Sequence, residues 1–104
     1  MAEKASTTTR HFVTEEAARR RLNEAVAKNL KLEGMDLRVF LCISARLNFE
    51  KPVHVPQMDI ATLLDKQRTH ISRALRRLVE VGILLPGPGG TRASEWMLNP
   101  DYGT

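Results

Sequence analysis

Between Asp65 and Glu80 the chain carries Lys66, Arg68, Arg73, Arg76 and Arg77, and no acid stands among them. A guanidinium gives short, charge-assisted and often bidentate hydrogen bonds to phosphate oxygens and to the O6/N7 edge of guanine. The whole chain holds 16 Lys+Arg against 12 Asp+Glu, and without these five cations the balance is 11 to 12. The positive excess is therefore local, as a surface built to meet phosphates requires. Gln67, Thr69, His70 and Ser72 interleave neutral donors and acceptors with the cations, and Arg92 follows in a separate Gly/Pro-rich segment.

Other chemistries find little to work with. His11, His54 and His70 are scattered, with no second His or Cys at ligand spacing, so no metal site is expected. Cys42 is a single cysteine in an apolar run and reads as a small core hydrophobe. There is no P-loop, no nucleophile elbow and no dinucleotide fingerprint; the run from Pro86 to Gly90 is a turn composition. The expectation is a protein that is not an enzyme and needs no cofactor.

The basic run must be positioned by a scaffold, and the apolar spacing supplies one. Ile71, Ala74, Leu75 and Leu78 recur at i, i+3, i+4 and i+7, predicting a helix from about Arg68 to Val81 that Gly82 ends. Arg68, Thr69, Ser72, Arg73, Arg76 and Arg77 then point outward, with His70 at the boundary. A shorter helix from Gln57 to about Leu64 precedes it across a turn at Asp65 to Gln67, opened by Pro56. Asp65 stands where such turns often place glycine, and Gln67 is a poor N-cap.

Upstream, Thr14 is expected to cap a helix reaching about Leu30, with Leu22, Ala25, Val26 and Leu30 on one stripe and Glu15 paired to Arg19. After a break at Gly34, residues Asp36 to Leu47 leave little polar face and predict a central, buried helix. Val53 to Val55 reads as a small strand. Ile83 to Leu85 and Glu95 to Leu98 predict an antiparallel pair around a glycine-rich turn carrying Arg92, and Trp96 is expected in the core. Residues 1 to 12 read as a flexible arm, and 13 to 104 as one domain.

The predicted order is α-α-β-α-α-β-turn-β: mainly α with a small β-wing, an α+β winged helix-turn-helix. Its apolar runs are too short to cross a membrane, and the first ten residues lack the apolar stretch of a signal peptide. A cytoplasmic location follows as the expectation.

The stretches Met35 to Leu41, Ile60 to Leu64, His70 to Leu78, Gly82 to Leu84 and Met97 to Pro100 together resemble the winged-helix domain of RepL-type plasmid replication or maintenance proteins. The likeness covers roughly residues 34 to 104; the helix-turn-helix part alone is similar to MarR-like and Crp-like regulators. It implies a sequence-specific reader of double-stranded DNA, bound to plasmid or nucleoid.

In such a reader Arg68 and Arg73 would contact bases, Arg76 and Arg77 phosphates, and Arg92 a minor groove or a phosphate; Lys66, Gln67, Thr69, His70 and Ser72 complete the face. A plain transcriptional regulator and a winged helix used only for protein interaction are the alternatives. The apolar stripe of the first helix, judged larger than one small domain can cover, predicts a homodimer.

Overall fold

The computed structural model describes residues 2–104, with side chains from Glu15 onward. Four helices, α1 (Ala2–Lys28), α2 (Gly34–Ser44), α3 (Gln57–Leu64) and α4 (Arg68–Glu80), are combined with strands β1 (Val53–His54), β2 (Leu84–Pro86) and β3 (Glu95–Leu98). The strands form one antiparallel sheet in the order β1-β3-β2. The fold is thus α+β, mainly helical, and its elements follow the predicted order.

The helix starts at Ala2 rather than at Thr14. No glycine or proline occurs before Gly34 to force the backbone out of helical angles, so a hydroxyl at Thr14 has no break to cap. The side chains of the arm expected over residues 1 to 12 lie outside the described ones.

The stripe of α1 is spent inside the molecule. Leu22 and Val26 are buried in the common core with Val39, Phe40, Ile43, Ile71, Leu75 and Leu78. Leu30, at 97% exposure, is the member left outside. Two members of the face from which a homodimer was expected, Leu22 and Val26, are therefore already covered. Arg19 fastens α1 further: its guanidinium donates to the carbonyls of Ser44 and Leu47, at the end of α2. There it lies 5.9 Å from the Phe49 ring centroid and 3.7 Å from Glu15. The chain's last residues close on the same helix, with Asn29 Nδ2 donating to the Tyr102 hydroxyl at 2.8 Å.

Helix α2 is less uniformly buried than its composition predicts. Val39, Phe40 and Ile43 are buried, but Leu41 is 70% exposed. Its break also differs: Glu33 is the N-cap and Gly34 the first helical residue. Asp36 explains this, since its carboxylate accepts the Glu33 N–H at 2.9 Å and completes a capping box.

The ends of α3 and α4 share one hydrogen-bond pattern. After α4, the N–H of Ile83 donates to Leu78 O at 2.9 Å and that of Gly82 to Val79 O at 3.0 Å. Gly82 sits at φ +87°, as a Schellman ending needs. After α3, Lys66 donates to Ala61 O and Asp65 to Thr62 O, with Asp65 itself left-handed at φ 53° and ψ 50°. An aspartate thus holds the place of the glycine, and this fixes the turn that aims α4.

Trp96 is in the core at 1% exposure, on the central strand, opposite Val53 on one side and Pro86 on the other. Asn99, just beyond β3, donates from Nδ2 to Gly82 O at 2.7 Å and so joins the closing Leu-Asn-Pro run to the end of α4.

Candidate functional site

Helix α4 buries Ile71, Ala74, Leu75 and Leu78 and turns the rest of its circumference outward. Lys66, Gln67, Arg68, Thr69, His70, Arg73, Arg76 and Arg92 are exposed; Ser72 and Arg77 are half-buried. At 100° per residue, Thr69, Arg73 and Arg76 fall along the middle of the outward face. Arg68 and Ser72 flank it on one side, His70 and Arg77 on the other.

Each flank walls a cleft. The first, of about 520 Å³, lies between α4 and the turn after β2, with Arg68, Thr69, Ser72 and Arg76 from the helix and Thr91 and Arg92 from the turn. Gln57 of α3 lines it too, together with Leu75 and Trp96. Among these residues are three guanidiniums, three hydroxyls, an amide and an indole, and no carboxylate. The second cleft, of about 270 Å³, takes Lys66, His70, Arg73 and Arg77 from the other flank and opposes them to Glu33 and Asp36 of the α2 start. One side of α4 thus meets cations and the other meets acids.

That asymmetry separates residues the sequence placed in one group. Arg77 Nε stands 3.3 Å from Asp36 Oδ2, and Asp36 is 3% exposed. Arg77 is accordingly tied to α2, whereas no acid among the described residues pairs with Arg68, Arg73 or Arg76. Asp36 was missed by sequence reasoning, although an acid near the start of an apolar helix was a visible signal. Gln57 and Thr91, also missed, come to the first cleft only through the tertiary fold.

The Gly/Pro-rich turn is folded against the sheet rather than extended from it. Gly87 N–H donates to Glu95 O at 2.8 Å, Gly90 N–H to Gly87 O at 2.8 Å, and Gly89 N–H to Glu95 Oε1 at 3.3 Å. Thr91–Ala93 forms one turn of 3-10 helix, and His54 Nδ1 lies 2.9 Å from Ala93 O. A Cβ on Gly87 would come within 2.8 Å of the Glu95 side chain and 2.9 Å of Pro52, so the close approach requires glycine there. Arg92 rides on this 3-10 turn beside α4.

The N-cap of α4 is Gln67, which makes no side-chain capping bond. Gln67 O takes the His70 N–H at 3.0 Å, which leaves the Arg68 and Thr69 amides without a side-chain cap at the positive end of the helix dipole. Among the described residues no group of three His, Cys, Asp or Glu comes together to hold a metal ion, and no helix is long and apolar enough to cross a membrane.

No protein-family model matches this chain, nor does any curated protein or solved structure.

Proposed function

We propose that this chain is a sequence-specific double-stranded DNA-binding protein of winged-helix fold, serving replication, maintenance or transcription control of a plasmid or other mobile element. The observation that carries the reading is the outward face of α4, where Thr69, Arg73 and Arg76 form an exposed midline with no acid before Glu80. A helix of this width fits the major groove, and donors along its midline meet base edges while those on its flanks meet phosphates. On this geometry Arg73 and Thr69 read bases. Arg76 stands on the same midline but about two turns past the start of α4, beyond the N-terminal positions that reach base edges. With Arg68 and Arg92, which share the first cleft, it therefore holds backbone, and Arg77 contributes less because Asp36 already pairs with it.

The resemblance to RepL-type proteins, borne by His70 to Leu78 and by the Met97 to Pro100 close, supports the plasmid context. A pair of copies on an inverted repeat belongs to the same proposal, because one small domain covers little duplex. Leu22 and Val26 are committed to the core, which leaves Leu30 as the exposed member of the α1 stripe for such a pairing.

The test is selection of bound duplexes from a random pool, followed by footprinting and a salt titration. An enriched site whose affinity falls steeply with salt supports the reading. Inverted repeats support the pair, and direct repeats replace it with successive single copies; a footprint on promoters rather than origin repeats makes the protein a regulator. No enrichment and no salt-dependent affinity would leave the fold as a protein-interaction module.

A further inference from the structure

The first cleft is larger and more strongly charged than one contact to a DNA backbone needs. About 520 Å³ lies within the range of small-molecule sites. Its walls carry Arg68 and Arg76 from α4 and Arg92 from the 3-10 turn, with no carboxylate among the lining residues. A phosphodiester offers one negative charge to these three guanidiniums; a phosphate monoester or pyrophosphate offers two or more. The first turn of α4, which has no side-chain cap, adds the positive end of the helix dipole beside Arg68.

The floor supplies a further, independent sign. Trp96 lines the cleft at 1% exposure, and its Nε1 is the one buried side-chain polar atom among the described residues without a hydrogen-bond partner. A buried donor without an acceptor is costly, and a shift of the floor that brought a ligand oxygen to it would relieve that cost.

We propose that the cleft between α4 and the Thr91–Ala93 turn is a binding site for a multiply charged phosphate group, held by Arg68, Arg76 and Arg92. A free phosphate ester and the duplex backbone then compete for it. The proposal stands on the cleft itself, and rests on the DNA-binding reading only for the competition. Its consequence is control: a phosphorylated small molecule displaces the protein from DNA by occupying the flank of the reading helix.

The experiment is calorimetric titration of the full chain with inorganic pyrophosphate, against sodium chloride of matched ionic strength, with Trp96 fluorescence followed in parallel. The sole tryptophan makes the emission a direct report from the cleft floor. Saturable binding is expected, weakened about tenfold or more in Arg92→Ala and in Arg68→Ala, through loss of one charge-assisted fork each. Arg46→Ala, which removes the same charge from an exposed position outside the cleft, should bind as the parent does. Circular dichroism identifies which of the two cleft variants stay folded.

No saturable heat, or equal binding in the cleft variants and the parent, overturns the proposal. In a second arm, pyrophosphate should displace a labelled duplex from the parent protein. Binding of both ligands without displacement overturns the shared site. Pyrophosphate binding with no duplex binding at all keeps the cleft and removes the DNA reading instead.

Discussion

Arg77 and Asp36 join α4 to α2 across 3.3 Å, and the same Asp36 oxygen accepts the N–H of Glu33 at 2.9 Å. One buried carboxylate therefore both starts α2 and anchors the helix that carries the cationic face. Arg77 is still about 38% exposed along its side chain, so the pair is a bridge at the edge of the core rather than a sealed one.

Replacing Asp36 with alanine is expected to destabilise the fold by about 2 kcal/mol, combining a lost cap with a lost charge-assisted bond. Arg77→Ala should lower stability as well, because it leaves the buried acid without its cation. Arg76→Ala should not. Urea unfolding of the three variants checks this, and equal midpoints for Arg76→Ala and Arg77→Ala would contradict it.

Along α4 the exposed arginines should separate by function. Arg73→Ala is expected to cost about 1–3 kcal/mol on the selected duplex and far less on random duplex, as loss of a base contact does. Arg76→Ala should weaken both duplexes alike and reduce the salt slope by about one counterion. Parallel losses for the two variants on both duplexes would remove the base-reading role from Arg73.

Helix α1 is predicted to behave as core. Leu22→Ala should destabilise by about 2–4 kcal/mol, since the side chain is buried and its neighbours can close the space only in part. Leu30→Ala, at a fully exposed position, should change stability by less than about 0.5 kcal/mol. Removing residues 2–31 should leave an unfolded or molten chain in circular dichroism and thermal melts. A cooperative melt from that truncation would mean the remaining core suffices.

Asp65 offers a test of the turn that aims α4. Its left-handed backbone should make Asp65→Val destabilising by about 1–2 kcal/mol, whereas Asp65→Gly should be neutral or stabilising by up to about 1 kcal/mol. Thermal melts distinguish these directions. A valine variant as stable as the parent would show that the turn can relax to another geometry.

The elements were legible because their signals are local. Ile71, Ala74, Leu75 and Leu78 announce α4 by period, Gly82 announces its end, and Trp96 was recognisable as core. The cationic group was legible too, but not its partition. Arg68 and Arg73 differ by five positions in sequence, yet only packing puts the first beside Arg92 and the second beside Glu33. The stripe on α1 misled in the same way: apolar spacing shows that a face is to be covered, and not by whom. Leu22 and Val26 are buried in a core whose other members lie far along the chain, and Asp36, visible as an acid at a helix start, shows its second role only once Arg77 is placed.

The bond between Asn29 and Tyr102 spans 73 positions. Closing so wide a loop carries an entropic cost that grows with its length, and such contacts form late in folding. During synthesis α2, α3 and α4 exist in full before the residue that latches α1 has been added. Of the described helices the one made earliest is thus the one secured last, and until Tyr102 emerges from the ribosome its seat on the core is held by Arg19 and by Leu22 and Val26, without the latch.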